Sequence, residues 1–301
     1  LGFDKLEDYF DNPACFGATI GPVANRTAGA TITIDGTDVK SLGGAEAVQN
    51  KLRGESGITV NVVWLDSENA QHTADLTHSG FTANSVDSAL VQGNVGYIRI
   101  RQFDSTTPSE LDYAIRSLSA NGAGSLVFDL RDNGGGSMDN VETIVRHFIS
   151  RRIPAGSICH KTGPGHNDFS EPYTYYFNPA DKGRILWEKP VVVLCNRSTF
   201  SAANNFVSVM KSLPQVTVVG DTTGGGSGMP FSSELPNGWG VRFSASPLRD
   251  PEGNLTEFGV APTPGCEVDM DPQKALEGID TMLEFAITRL ITQQTADNPT
   301  E

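Results

Sequence analysis

Val191 to Phe206 reads VVVLCNRSTFSAANNF. Five apolar residues without polar alternation predict a fully buried strand, of the kind found in parallel sheets covered on both faces. A polar turn follows. Ala202, Phe206, Val209, Met210 and Leu213 then recur on one face at helical spacing, so the helix begins at or beside Ser201. The unpaired N–H groups and the positive dipole end of a first helical turn stabilise negative charge, which acyl transfer develops on a carbonyl oxygen. Ser201 is thereby a candidate nucleophile, although on this segment alone the commoner role for Ser201 or Ser198 is to cap the helix.

A second stretch changes that balance. Ser125 to Gly136, SLVFDLRDNGGG, is again an apolar strand, and it ends in a charged, glycine-rich turn. Met138, Val141, Ile144, Val145, Phe148 and Ile149 then form the stripe of a following helix. Successive glycines admit positive φ and let another chain approach the main-chain N–H groups. A phosphate-binding loop is excluded, because no Lys-Ser or Lys-Thr pair follows the glycines and the G-x-G-x-x-G spacing is absent. A plain tight turn stays open beside an oxyanion hole divided between the two turns.

The organisation along the chain is that of repeated βα units. VGYIRIRQF at 95–103 reads as a strand, Pro108 opens a helix, and strand 125–130, helix 137–150, strand 191–195, helix 201–213 and strand 216–219 follow. Such alternation predicts an α/β fold with a mainly parallel sheet. Residues 171–178 and 238–247 look like hairpin strands, 78–92 like a polar linker, and 271–292 like one amphipathic helix carrying Leu276, Ile279, Met282, Leu283, Ala286, Ile287 and Leu290. Residues beyond Thr292 read as a frayed tail.

DLRDNGGG, NRSTFSAANNF, VVGDTTGGGSG and TEFGVAPT, in this order, resemble the signature blocks of the tail-specific or carboxyl-terminal processing serine peptidases, the family that includes the tricorn core. The resemblance spans roughly 93–270. It implies a catalytic domain over 93–292 with the crotonase/ClpP-like βα sheet. Upstream, IDGTDVKSLGGAEAVQNKLRGESGITVNVVWL resembles the second half of a PDZ domain, giving a small PDZ-like α+β module at 34–90. Residues 1–33 form an N-terminal segment, with Ala18 to Gly21 as the remnant of a carboxylate-binding strand, and 293–301 a tail.

Carried onto these positions, the resemblance implies that Ser201 is the nucleophile, with the N–H groups of Ala202 and of Gly135 as oxyanion donors. The lysine base of many members falls on Gly226, so this chain is not a Ser-Lys peptidase of the usual kind. Lys211 lies almost three helical turns from Ser201, too far to serve. The tricorn branch uses a histidine ahead of the PDZ segment and a glutamate ahead of a G-V-x-P block, which falls on Glu257. None of the five histidines, His72, His78, His147, His160 and His166, precedes the PDZ-like segment. The base is then a histidine upstream of Leu1, or another imidazole with His160 of the KTGPG loop in reserve, or is missing. His147, beside Arg146, reads as a solvated surface residue.

The expected function is a serine endopeptidase, a hydrolase that cleaves polypeptides with extended, apolar C-terminal ends through an acyl-enzyme. The alternative is an inactive peptide- or hydrophobe-binding protein on the same scaffold, which the family's retinoid carrier exemplifies. An acyl-CoA enzyme of the crotonase group is weaker, since the Ser201 block is specific to peptidases. No metal or organic cofactor is required, and no zinc spacing exists around the cysteines and histidines.

A net charge of −14 argues against nucleic acid as a partner. No apolar stretch is long enough to span a membrane. Cys15, Cys159, Cys195 and Cys266 are too scattered to define a disulfide framework, and Cys195 reads as a core residue. An extracytoplasmic location, periplasm or cell envelope, follows from the resemblance alone, and oligomeric state is left open.

Overall fold

The computed structural model describes residues 32–65, 70–78, 84–181 and 183–297. The expectations for residues 1–31, including Ala18 to Gly21 and Cys15, lie outside them. The chain divides into two compact units, Leu1–Thr82 and Ala83–Glu301.

In the first unit β1 (Ile32–Ile34) and β2 (Thr37–Asp38) flank a tight turn, α1 spans Ala45–Leu52, and β3 (Thr59–Leu65) and β4 (Gln71–Thr77) follow. The sheet runs β2-β1-β3-β4 and is antiparallel throughout. Ile34 and Val60 are its buried apolar anchors. His78 closes the unit's end: its ring nitrogens lie 2.7 Å from the carbonyl oxygens of Ile58 and Leu52.

The second unit is built on a five-stranded sheet ordered β11-β10-β7-β6-β5, made of β5 (Val86–Val91), β6 (Val95–Ile100), β7 (Ser125–Asp129), β10 (Val191–Cys195) and β11 (Val216–Gly220). Its pairings are parallel except for the antiparallel edge pair of β5 with β6. The continuous apolar runs of β7 and β10 are explained by burial on both faces. Leu126, Phe128, Val191 and Val193 pack with α2 (Thr107–Ala120), α3 (Met138–Val145) and α4 (Ala202–Lys211), whereas Val127, Val192 and Leu194 pack with α6 (Thr281–Asp297). The strand period of two therefore feeds two separate cores. An antiparallel sheet β14-β8-β9 (Leu248–Arg249, Ile153–Ile158, Tyr173–Phe177) and a hairpin of β12 (Pro230–Glu234) with β13 (Gly240–Ser244) complete the unit.

Four expectations need correction. The supposed linker contains β5, whose antiparallel pairing with β6 starts the sheet before residue 93. The helix at 271–292 is two: α5 (Pro272–Leu276) ends at Gly278 in the left-handed region, with Gly278 N–H donating to Ala275 O and Ile279 N–H to Lys274 O. This glycine-terminated cap stops the helix and leaves Leu276 exposed. The tail instead continues α6 to Asp297, held where Gln294 Nε2 donates to Ser125 Oγ at 2.8 Å. His147 is not solvated: it is buried, with Nδ1 3.0 Å from Ile185 O, and burial depresses its pKa. The segment that closes over it has no helical or strand period, so sequence offered no sign of the cover.

Cys195, Cys159 and Cys266 are buried free thiols. Burial, then the charge of Asp221, pushes the Cys195 thiol up to about 12, as expected of an inert core residue.

Arg131 ties the sheet to α6. Its guanidinium donates to Asp129 Oδ1 at 2.9 Å and to Asp280 Oδ1 at 2.9 Å and Oδ2 at 2.6 Å, while Tyr97 Oη donates to Asp129 Oδ2 at 2.7 Å. Burial raises the Asp280 pKa, but hydrogen bonds from Arg131 and from backbone N–H groups outweigh it, so the net shift is downward. A depressed carboxyl pKa contributes stability above the unfolded value of about 3.9, and that stability is lost as pH falls through the folded value. Arg131→Met strands Asp129 without its cation and should cost about 3 kcal/mol at neutral pH. Its unfolding midpoint should also depend less steeply on pH below 4 than that of the parent. Equal acid sensitivity in the two proteins would contradict the coupling to Asp280.

Candidate active site

Because β7 and β10 are parallel neighbours, the turns that leave their carboxyl ends lie side by side. Hydrogen bonds weld them together. Asn196 Oδ1 accepts from Asp132 N at 3.1 Å while Asn196 Nδ2 donates to Asp132 Oδ1 at 2.9 Å. Thr199 Oγ1 donates to Leu130 O at 2.8 Å, and Phe200 N–H donates to Asn133 O at 2.9 Å.

Within this joint Ser201 adopts φ +58°, ψ −122°, a conformation that L-residues enter only under constraint, immediately before the first residue of α4. The constraint is visible: Ser201 N–H donates to Gly225 O at 2.8 Å, and Gly224 N–H donates to Thr199 O at 2.8 Å. Ser201 is half-buried. Its side chain makes no capping bond, so the plain helix-cap role is excluded. Among the described residues the Ala202 N–H, next in the chain, has no acceptor. Ser198 is exposed and lies in the preceding turn.

Gly135 abuts this elbow. Its φ is +106°, and a Cβ placed on it would lie 2.8 Å from Ala202 N, Phe200 O and Ser201 Cβ. Asn133, fully buried, fixes the turn by donating from Nδ2 to Ile100 O at 2.8 Å and accepting at Oδ1 from Gly135 N–H at 2.9 Å. Gly135 N–H is thus near the serine but already engaged by a neutral amide oxygen. The sequence reading passed over Asn133, although an asparagine just before glycines is the usual signal for a side-chain-closed turn.

Glu257 sits on the other side of the 224–228 loop. Its carboxylate accepts from Gly228 N–H at 2.9 Å and from the Ser244 hydroxyl, and its carbonyl accepts from Gly226 N–H at 2.9 Å. Two loop bonds therefore link Ser201 to Glu257: Ser201 to Gly225, and Gly226 to Glu257. Beneath them Asn204 of α4, fully buried, is bonded to Ser227 Oγ, Thr223 Oγ1 and Thr256 O.

Gly226, the position of the missing lysine, has φ +71°, and a Cβ there would stand 2.0 Å from the Phe200 ring. Phe200 occupies the direction a side chain would take. Gly226→Lys alone should therefore fail to raise peptide hydrolysis above the parent's rate and should lower the unfolding midpoint; a gain in rate would show that the ring yields.

No imidazole is bonded to Ser201. Among the described residues its hydroxyl has no hydrogen-bond partner. His160 is exposed in its loop, where its main chain exchanges bonds with Ser170. His166 is also exposed, and His147 faces Ile185 and Asp112. No group of three or more His, Cys, Asp or Glu side chains able to hold a metal occurs among the described residues.

The family profile described as peptidase family S41 matches residues 94–264, more than half of the chain. This chain belongs to peptidase family S41. The S41 match covers both turns, the 224–228 loop and Glu257. A second profile, aldose 1-epimerase, matches residues 1–79, well under half of the chain, and carries no assignment.

Similar proteins include the carboxyl-terminal-processing protease of a Picosynechococcus species, 27% identical over 275 residues that cover 88% of this chain and 62% of that protein. CtpA of Bacillus subtilis, a carboxy-terminal processing protease, is 27% identical over 79% of this chain and 48% of its own. The S41 chain thus spans about half to three-fifths of these relatives' length. Among solved structures, a candidate peptidase of Parabacteroides merdae is 44% identical with a TM-score of 0.64, over 70% of this chain and 65% of that one. Mature CPAF, at 14% identity and a TM-score of 0.58 over 90% of this chain and 78% of that one, shares the fold.

Proposed function

We propose that this S41 chain is a serine endopeptidase that cleaves polypeptides near their C-terminal ends through an acyl-enzyme. The observation that carries the reading is the backbone of Ser201. A non-glycine residue held at positive φ on a strand-to-helix turn costs about 1–3 kcal/mol, and such strain collects where a nucleophile must be presented.

In the reaction Ser201 Oγ attacks the scissile carbonyl carbon as its proton passes to a base. The tetrahedral oxyanion is held by the Ala202 N–H and by the Gly135 N–H. An anion is a stronger acceptor than the Asn133 amide oxygen that Gly135 bonds at rest, so it takes the donor over. The C–N bond then breaks, the base returns the proton to the leaving amine, and water attacks the acyl-serine by the same route. Glu257 orients the base, read here as a histidine with His160 in reserve, since the lysine position of the usual Ser-Lys pair is Gly226. None of these steps calls on a metal or an organic cofactor.

The relatives' names support the substrate class, and the sheet supports the finer crotonase/ClpP-like description. The β1-turn-β2, α1, β3 succession supports a PDZ-like module. No helix among the described residues is long and apolar enough to cross a membrane. An extracytoplasmic site of action remains part of the proposal.

A fluorophosphonate should label Ser201 and leave Ser198 unmodified, read by mass spectrometry of the digested protein. Label elsewhere, with Ser201 intact, overturns the assignment. Hydrolysis by a histidine-assisted serine should fall in acid with a midpoint near 6.5, the unperturbed imidazole value of about 6.5. A rate flat from pH 5 to 8 would exclude that base.

A further inference from the structure

The hairpin β12–β13 grows out of the loop that carries Gly225 and Gly228, and its two faces differ sharply. Phe231 pairs with Phe243 and Ser233 with Val241, and Leu235 N–H donates to Trp239 O at 2.8 Å. By the period of two, Phe231, Ser233, Leu235, Trp239, Val241 and Phe243 share one face, apolar except for Ser233. Pro230, Ser232, Glu234 and Arg242 share the other. The apolar face is open: Trp239 is 70% exposed, Phe243 53% and Phe231 52%, with the two phenyl rings in tilted contact across the strands at 5.5 Å between centroids. A two-stranded hairpin is marginal by itself, and an unpaired edge beside exposed aromatics is a template for another strand.

Both outer edges are available. The Leu235–Trp239 bond fixes the alternation of the antiparallel ladder, so the N–H and C=O groups of Ser232 and Glu234 on β12 and of Arg242 on β13 point away from the hairpin. At its base the hairpin is bonded into the candidate site: Ser244 Oγ donates to the Glu257 carboxylate, and Ala245 N–H donates to Gly228 O at 2.8 Å.

We infer that this hairpin is the docking strand for the polypeptide substrate. It takes an extended segment by edge-to-edge backbone pairing, with alternate apolar side chains extending the Phe231–Trp239–Phe243 face. This inference rests on the peptidase reading above and adds the recognition element and its code, apolar at every second residue. Continuity with Glu257 and with the loop holding Ser201 selects a substrate over a second copy of the chain.

The test uses the full chain carrying Ser201→Ala and a fluorescein-labelled ten-residue peptide with Val or Leu at alternate positions. Binding is read by anisotropy and by a blue shift of tryptophan emission measured in a Trp64→Phe background, where Trp239 should dominate because Trp187 is buried. The apolar peptide should bind, and its counterpart with Ser at those positions should not. Phe231→Ser with Phe243→Ser should weaken binding by about tenfold or more, the usual scale for losing aromatic anchors. Trp239→Ser, at an exposed tip where folding is not at stake, should weaken it in the same direction.

Equal binding by parent and variants overturns the inference. So does a parent dimer that the variants dissociate in sedimentation while peptide affinity stays unchanged, which assigns the face to a second copy. Fluorophosphonate labelling of Ser201 in the hairpin variants on the unmutated serine background should match the parent. If the parent takes no label yet peptide binding still depends on the hairpin, the peptidase reading falls and the docking surface stands.

Discussion

Ser201→Ala should lose peptide hydrolysis by at least about a thousandfold, because the reaction loses its nucleophile. Its unfolding midpoint should nevertheless lie below that of Ser201→Gly. Alanine must still occupy φ +58°, ψ −122°, whereas glycine enters that region without a Cβ clash. Relief of about 1–3 kcal/mol of strain exceeds the extra backbone entropy that glycine loses on folding, about 0.5–1 kcal/mol. The net gain of about 1 kcal/mol corresponds to roughly 2–4 °C in a domain of this size. Differential scanning calorimetry of the two variants decides it. A glycine variant no more stable than the alanine one would mean that the elbow is unstrained, and would remove the main structural argument for nucleophile presentation.

The sequence alone carries no mark of this strain. The run VVVLC, the helical stripe from Ala202 and the glycines after Asn133 announced two buried strands and two turns, because burial on both faces and helical period leave direct marks on composition. The positive φ of Ser201 has no local signature. It arises from Gly225 O, 24 residues away in sequence, and from the Asn133 carbonyl that fixes Phe200. The same holds for Phe200 closing over Gly226: the sequence showed that lysine is missing, but only packing shows that its place is filled.

Other misreadings share a cause. The apolar spacing at 271–292 continues across Gly278, so period alone merged two helices that a left-handed glycine separates. His147 is polar by residue type and buried by Ile185 and Trp187, whose segment has no period to read. The face of β12–β13 was legible in principle, since Trp239, Val241 and Phe243 recur at every second residue, although Ser233 interrupts the run between Phe231 and Leu235. What sequence withheld is that nothing among the described residues covers the face, which is a property of everything around it.

Gly135→Ala should be severely damaging, because its added methyl is driven into the serine elbow itself. The added carbon would meet Ala202 N, Phe200 O and Ser201 Cβ, all at 2.8 Å, and none of these atoms is the end of a flexible side chain. The residue would also be held at φ +106°. Either the glycine turn or the start of α4 must retreat, and each movement separates the Gly135 and Ala202 N–H groups that are to converge on one oxyanion. Loss of one such donor costs about a hundredfold or more in kcat, with KM little affected because the oxyanion exists only after attack. Gly134→Ala is the control: a Cβ there meets nothing within 4 Å and its φ is not in the left-handed region. It should retain near-parental kcat. If both variants lost activity equally, the effect would come from stiffening the turn as a whole. If Gly135→Ala turned over normally while folded, the oxyanion would have to be held without that glycine.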